Sequence, residues 1–187
     1  MTARLLRLLR EVATTALLVI VVFVASRMLV QNVQVHGTSM LPTLQNGEYV
    51  LVDTLSYRLH APARGDIVIF HPPVDPHEDY VKRVIGLPGE AIQVKRGTVY
   101  VNGKALAEPY VRLPHTYSWG PGRVPRGDIF VLGDNRDVSY DSHLWRDDQG
   151  QPSPFLPATQ IIGRAMLAYW PAQDFHVFTS SAFAWRT

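Results

Sequence analysis

The sequence predicts a mainly β protein with one N-terminal transmembrane helix. The first observation behind this fold class is an uncharged apolar run at residues 12–26. The second is a series of short segments after residue 33 that are rich in β-branched and aromatic residues and bounded by Gly, Pro, Asn and Asp. The 187 residues leave room for one domain with a small addition.

The apolar run is the first predicted element. Extended over residues 12–30 it has 19 residues, which form about 28 Å of helix and nearly match a hydrocarbon core of about 30 Å. Three arginines precede it and one glutamate opposes them. The positive-inside rule therefore places residues 1–11 in the cytoplasm. We expect a single-pass protein of the cell membrane whose remaining domain lies on the outer, periplasmic side.

A cleavable signal peptide is the alternative interpretation of this run. Val24, Ala25 and Ser26 are the small residues that a signal-processing site requires. We favour the retained anchor.

Six segments after the anchor are predicted to contain strands: 48–57, 66–71, 80–87, 91–104, 128–134 and 161–170. Within 91–104, the turn pairs Arg96-Gly97 and Asn102-Gly103 flank a short apolar run and indicate a hairpin. The predicted parts are a β core at 31–87 and 126–172, an inserted smaller β unit at 88–125, and an aromatic-rich C-terminal tail at 173–187.

Two near-copies, RGDIVIF at 64–70 and RGDIFVL at 126–132, repeat within the predicted core. An adhesion tripeptide is a weak interpretation of a three-residue match. We interpret each copy as a glycine turn followed by an aspartate that enters a strand.

Composition excludes several functions. The net charge of +2, from 18 basic and 16 acidic residues, gives no support for nucleic-acid binding. The absence of cysteine excludes disulfides, thiolate metal sites and a cysteine nucleophile. The polar loop at 133–143 lacks the Gly and Glu of a calcium-binding loop, so we expect no metal and no cofactor.

Ser39, in the stretch GTSMLPTL, is the candidate nucleophile. A serine hydroxyl needs a base and a site for the developing oxyanion. The hydrolase elbow G-x-S-x-G is absent because Leu41 stands at its last position. His36 is nearby, but the seven histidines are scattered through polar or Pro-rich segments, so a Ser-His-Asp triad is unsupported.

Lys82, in DYVKRVIGLPG, is the other candidate base because apolar residues flank it. From this stretch alone, Lys82 and Arg83 are interpreted slightly better as solvated charges of an edge strand. A buried lysine would instead have a lowered pKa and could accept a proton. The dense polar loop GDNRDVSYDSH at 133–143 would suit the orientation of such an amine, although a solvated turn has a similar composition.

Together, GTSMLPTL, RGDIVIF, DYVKRVIGLPGE and GDNRDVSYDSH, in this order after one N-terminal span, closely resemble the successive motifs of bacterial type I signal peptidases. The resemblance covers most of residues 37–143. It implies two antiparallel β-sheets on a membrane anchor, with Ser39 as nucleophile and Lys82 as general base.

The same resemblance implies supporting roles. Ser139 would hydrogen-bond the Lys82 amine, while Asp141 and Arg83 would support the site by charge pairing. The backbone N–H of Ser39 would contribute to the oxyanion hole.

Three positions depart from the family pattern. Gly37 supplies no side-chain donor where some members carry a hydroxyl, so the second oxyanion contact is open. Val138 stands for a usual Asn and His143 for a usual Arg, which leaves the partner of Asp141 open.

The implied substrates are exported preproteins whose signal peptides carry small residues at positions −3 and −1. A strand-like substrate would add to a sheet edge over two shallow pockets, with wall candidates Met40, Ile69, Tyr80 and Val84, for which ordinary core is the alternative. The lipid bilayer and the export translocase are further expected partners. Aromatic residues that could reach the membrane interface are Trp170, Phe175, Phe178, Phe183 and Trp185, although core packing is expected for Trp170.

Other interpretations remain at this stage. A maturation peptidase of a conjugation or secretion system would share the Ser-Lys chemistry, and so would a self-cleaving repressor, although the membrane span occupies the place of its DNA-binding helices. A noncatalytic, membrane-tethered peptide-binding β module is a different class. Since Val24, Ala25 and Ser26 fit the expected −3 and −1 preference, self-cleavage after Ser26 is a further hypothesis.

Overall fold

The computed structural model describes residues 2–75, 77–112, 115–179 and 185, with side chains for all of these except residues 2, 3 and 24–29. The helices are α1 (Thr2–Leu29) and α2 (Ser56–Leu59), with single 3₁₀ turns at Ala158–Gln160 and Ala172–Asp174. The strands are β1 (Val30–Gln34), β2 (Tyr49–Asp53), β3 (Ile67–Phe70), β4 (Tyr80–Gly86), β5 (Ala91–Lys95), β6 (Thr98–Val101), β7 (Lys104–Ala105), β8 (Trp119–Arg123), β9 (Asp128–Leu132), β10 (Leu156–Pro157), β11 (Ile161–Trp170) and β12 (His176–Val177).

The larger sheet has eight strands in the order β1-β2-β11-β3-β4-β9-β10, and β12 pairs with the far half of β11. All of its neighbouring pairs are antiparallel. Strand β4 lies inside this sheet, between β3 and β9. A side chain on β4 can therefore be enclosed by neighbours on both sides, unlike one on an edge strand.

The smaller sheet has four antiparallel strands in the order β7-β6-β5-β8. The expected hairpin is present as β5 and β6, and Arg96 and Asn102 take positive φ angles of 44° and 51° at its two turns. Each of these residues is followed by a glycine that also has positive φ, which is the conformation that such tight turns require.

A shared apolar cluster joins the two sheets. Ile85, Phe130 and Leu132 of the larger sheet are fully buried against a set from the smaller sheet that includes Ile92 and Val99. Burial of apolar surface stabilises the fold by about 25 cal/mol per Å², so this cluster holds the sheets together. Two further clusters pack against the larger sheet.

The structure confirms the mainly β, antiparallel fold class and the interpretation of the two RGD copies. Gly65 and Gly127 have φ angles of 92° and 87° and directly precede the aspartates at the start of β3 and β9. The carboxylate of Asp66 accepts hydrogen bonds from the Ala63 N–H at 2.9 Å and the Tyr57 hydroxyl at 2.8 Å. This side chain is therefore structural and unavailable to an adhesion partner.

The N-terminal helix α1 contains the run that was expected to span the membrane. Within the part of the chain that the structure describes, no helix is both apolar and long enough to cross a membrane. The side chains of Val24, Ala25 and Ser26 lie outside the described set.

The expectation that Trp170 packs in the core is wrong, because this residue ends β11 and is 58% exposed. Among the other aromatic candidates, Phe175 and Trp185 are exposed, Phe178 packs on the core, and Phe183 lies outside the described residues.

Truncation of Leu106, which is 1% exposed in the shared cluster, tests how strongly that cluster holds the fold. Leu106→Ala is expected to lower the free energy of unfolding by about 2–4 kcal/mol, because it removes buried methyl groups and leaves a cavity. Leu59→Ala, at a leucine that is 69% exposed, should change it by less than about 0.5 kcal/mol. Equal effects in urea-induced unfolding would show that the cluster does not stabilise the fold.

Candidate active site

Ser39 lies in the irregular segment that follows β1. The Val35 N–H donates to the Glu48 carbonyl at 2.8 Å, and the Gly37 N–H donates to the Asn46 side-chain oxygen at the same distance. Gly37 has a φ of 94°, a conformation that favours glycine. These contacts turn the chain toward Ser39 and hold its backbone close to the larger sheet.

A second loop, residues 133–135 immediately after β9, fixes Ser39 from the other side, and we call it the clamp loop. The Asn135 backbone N–H donates to the Ser39 carbonyl at 2.9 Å, and its side-chain amide donates to the Thr38 carbonyl at 3.1 Å. A Cβ on Gly133 would lie 2.5 Å from the Ser39 carbonyl oxygen and 2.2 Å from the Ser139 Oγ. Glycine is therefore required at position 133 for the two segments to meet.

Lys82 reaches Ser39 from β4. Its Nζ lies 2.8 Å from the Ser39 Oγ and 3.1 Å from the Val81 carbonyl oxygen. The residue is only 4% exposed, and its amine lies 5.2 Å from the centre of the Tyr80 ring. The interpretation of Lys82 as a solvated edge-strand charge is therefore wrong, because β3 and β9 flank its strand.

Burial lowers the pKa of the Lys82 amine from 10.5 to about 8, although the negative charges of Asp141 and Asp134 oppose this shift. Desolvation disfavours the ammonium form more than these carboxylates restore it. With a pKa of about 8, roughly one amine in four is neutral at pH 7.5, against about one in a thousand for an exposed lysine. A neutral amine beside a serine hydroxyl can accept its proton.

Ser139 lies beside this pair, but its expected hydrogen bond to Lys82 is not formed. The residue is 2% exposed, and its Oγ has no hydrogen-bond partner among the described residues. The lysine amine is instead bonded to Ser39 and to the Val81 carbonyl. Ser139 thus leaves a buried hydroxyl next to the candidate reactive groups.

Arg83 supports the site by a charge pair, and its partner is Asp134. Its Nε and Nη2 donate to the two oxygens of the Asp134 carboxylate at 2.8 Å and 2.6 Å, and its Nη1 donates to the Gly65 carbonyl at 2.9 Å. The Tyr110 ring lies 4.1 Å from the guanidinium. This two-bond, desolvated pair ties β4 to the loop that follows β9.

Asp141 is paired with His143. Its Oδ1 lies 2.6 Å from the His143 Nδ1, and its Oδ2 accepts the Gly133 N–H at 2.8 Å. The imidazole is stacked on the Tyr117 ring, with 4.2 Å between the ring centres. The histidine that departs from the family pattern therefore still supplies a partner for this carboxylate.

Several supporting residues were missed by the sequence analysis. Asp134 and Asn135 were given no individual role within the polar loop at 133–143, although both contact the site. The buried pair of Arg136 and Glu108 was not predicted, and Arg136 also donates to the Gly133 carbonyl at 3.0 Å. Asp134, Asn135 and Arg136 all lie in the motif GDNRDVSYDSH, and this position was an available signal. No sequence signal marked Glu108.

An open groove with a volume of about 940 Å³ contains Ser39 and Lys82. Of the four expected wall residues, Met40 and Tyr80 line it. Ile69 and Val84 do not, because they are fully buried in two apolar clusters. The other residues of the groove wall come from 32–38, His71, 77–79, Val81, Val138 and Tyr140.

Histidine bases are not assembled around Ser39 in the described structure. His36 lines the groove and is exposed, while His71 pairs with Asp79 at 3.0 Å. The hydroxyl of Ser39 contacts the Lys82 amine instead. The arrangement therefore favours a lysine base over a Ser-His-Asp triad.

Substitution of Lys82 tests whether burial of its amine lowers the pKa and costs stability. The unfolded chain keeps the lysine proton up to pH 10.5, whereas the folded chain releases it near pH 8, so wild-type stability should rise with pH between these values. Lys82→Met lacks this slope and should be more stable near pH 7 by about 1–3 kcal/mol. Lys104→Met, at an exposed lysine, should behave like wild type in the same unfolding series. A slope that Lys82→Met retains would place the titrating group elsewhere.

Comparison with known proteins identifies relatives along most of the chain. The family described as signal peptidase, peptidase S26, matches residues 8–170. Signal peptidase I of Leptolyngbya laminosa is 44% identical over 144 residues, which cover 73% of this chain and 67% of that protein. Probable signal peptidase I-2 of Synechocystis sp. is 38% identical over 178 residues, 92% of this chain and 78% of that protein.

A crystal structure of a signal peptidase I from Enterococcus faecalis V583 covers 56% of this chain and 97% of its own, at 30% identity and a TM-score of 0.44. The family assignment rests on the family match and the sequence relatives. The chain belongs to the signal peptidase family, peptidase S26.

Proposed function

We propose that this chain is a membrane-anchored serine endopeptidase that removes signal peptides from exported preproteins. One observation carries the mechanism: the buried Lys82 amine lies 2.8 Å from the Ser39 hydroxyl. The relatives named signal peptidase I support the substrate class. Membership of a peptidase family sets aside the alternative of a noncatalytic peptide-binding module.

The proposed reaction has two stages. Neutral Lys82 accepts the Ser39 proton while the Ser39 oxygen attacks the scissile carbonyl and forms a tetrahedral intermediate. The resulting ammonium then gives its proton to the leaving amine as the peptide bond breaks, which leaves an acyl-enzyme ester on Ser39. Lys82 next accepts a proton from water, and the hydroxide attacks the ester to release the signal peptide.

The backbone N–H of Ser39 is the proposed donor to the oxyanion, since it belongs to the nucleophile itself. Gly37 offers no side-chain donor to add to it. Donors of this type each contribute about 3–4 kcal/mol to transition-state stabilisation. The clamp by Gly133 and Asn135 supports this role because it fixes the Ser39 peptide units before substrate binds.

The groove suits an extended peptide with small side chains. Four apolar residues line it near Ser39, namely Val33, Val35, Met40 and Val81. The same four residues belong to or pack on one core cluster, so the floor of the groove is shallow and rigid. Such a floor accommodates small residues at positions −3 and −1 and excludes bulky ones.

We place the domain after α1 on the outer face of the cell membrane, with residues 12–30 as the anchor. The uncharged run at 12–26 and the three arginines before it support this placement. Apolar side chains of α1 between Leu5 and Phe23 are also more than half exposed, which suits contact with lipid. The export translocase would deliver substrate to this face.

Two substitutions test the dyad. Ser39→Ala and Lys82→Met should each lower cleavage of a preprotein by at least about 10³-fold, because they remove the nucleophile or the base. Lys104→Met should retain wild-type activity, and circular dichroism should show that all variants are folded. Normal cleavage by either dyad variant would overturn the mechanism.

The pH dependence of the wild type gives a separate test of the base. Only the neutral amine is active, so kcat/KM should rise about tenfold per pH unit below the lysine pKa of about 8 and level off above it. A plateau that begins below pH 6 would contradict a lysine base.

Membrane topology is tested on the full chain in inverted and right-side-out vesicles. Protease added from the periplasmic side should digest the domain after residue 31 and leave residues 1–11 protected. Extraction of the intact chain by alkaline carbonate would contradict an integral anchor.

A further inference from the structure

The segment that follows the clamp loop alternates between buried polar and exposed apolar side chains. Ser139 and Asp141 are 2% and 0% exposed, whereas Val138 and Tyr140 are 59% and 45% exposed. The buried pair contacts the machinery around Ser39, through Gly133. The side chains of Val138 and Tyr140 therefore point away from this buried pair and are accessible to solvent.

Val138 and Tyr140 both line the groove that contains Ser39 and Lys82. Tyr140 also lies close to Tyr80, whose pKa is raised mainly by burial and further by Asp75 and Tyr140. The outward side chains thus form an apolar rim that is continuous with the substrate groove. We call Val138 and Tyr140 the 138/140 rim.

Two exposed side chains on the wall of a groove are available to a peptide that binds in it. A nearby residue shows that exposure alone does not place a side chain in the groove, because Leu144 is 47% exposed and is absent from the groove wall. The rim differs from Leu144 because Val138 and Tyr140 line the same groove as Ser39 and Lys82. A peptide bound in this groove can therefore contact the rim.

The rest of the groove determines which part of the peptide meets the rim. The shallow floor formed by Val33, Val35, Met40 and Val81 takes the small residues before the cut, as argued above. An extended substrate that continues beyond Ser39 leaves this floor. The segment carrying Ser139 lies beside Gly133, the same glycine that packs against the Ser39 carbonyl, so it offers such a substrate a further surface next to Ser39.

We propose that the 138/140 rim is a specificity site for the first two residues of the mature protein, the residues that follow the scissile bond, and that it favours apolar or aromatic side chains there. This inference rests on the proposed function. Val138 supplies an aliphatic contact and Tyr140 a flat ring with a polar tip, a combination that binds apolar side chains at a wet surface.

The test uses matched peptides that share one signal sequence with Ala at −3 and −1 and differ only after the cut. Leu or Phe at the first two mature positions is compared with Gln or Asp. The wild type should prefer the apolar peptides by about fivefold to twentyfold in kcat/KM. Val138→Asn and Tyr140→Ser should each reduce this ratio to less than about half of the wild-type value.

Control variants separate recognition from folding. Leu144→Ser removes an equally exposed apolar residue outside the groove and should keep the wild-type ratio. Val138→Ile and Tyr140→Phe keep the apolar surface and should also keep it. Unchanged ratios in Val138→Asn and Tyr140→Ser would overturn the inference while cleavage itself upholds the proposed function.

Two further outcomes are informative. A second peptide series varies only positions −3 and −1, and a preference that the rim variants change in this series but not in the first would overturn the assignment of the rim to the mature side. Failure of the folded wild type to cleave any of the peptides would instead overturn the proposed function, and the rim site with it.

Discussion

The enclosure of one lysine amine is the constraint on which the rest of the site depends. Lys82 must lose its proton easily and still point at Ser39, and both requirements follow from a position on an interior strand. The same burial disfavours the ammonium form and therefore destabilises the fold at neutral pH. Apolar packing elsewhere, above all between the two sheets, offsets that cost.

Carboxylates near the amine are held by other partners, which limits their effect on it. Asp134 is bonded twice to Arg83, and Asp141 is bonded to His143 and to the Gly133 N–H. A carboxylate near the amine without such partners would stabilise the ammonium form of Lys82 and raise its pKa. These pairs therefore serve two purposes. They fix the loops, and they limit how strongly the two carboxylates stabilise the ammonium form of Lys82.

Sequence patterns predicted the central strands of the larger sheet, β2, β3, β4, β9 and β11, because their apolar runs are bounded by clear turns. Strands β1, β8, β10 and β12 were not predicted. The two-residue strands β10 and β12 and the Gly- and Pro-containing β8 carry little pattern, and β1 directly follows the apolar run. Trp170 was expected in the core because aromatic residues are usually buried, but it lies at the exposed end of β11.

The motifs also led to the hypothesis that Ser39 and Lys82 react as a nucleophile and its base. The structure places their reactive atoms in hydrogen-bond contact. Spacing could not show this, because 43 residues separate them. The partner of Arg83 was equally undetermined, since Asp134 and Asp141 lie in the same polar motif and only the tertiary fold chooses between them.

Neighbouring positions on β4 carry basic groups with opposite tasks. Arg83 remains charged in its pair with Asp134, whereas Lys82 must be able to discharge. If β4 slid by one residue against β3 and β9, every side chain would change face. The nucleophile would then meet a guanidinium, which does not give up its proton in proteins. The pairing register of β4 therefore determines which basic group the nucleophile meets, and a sheet misaligned by one residue would be catalytically inert.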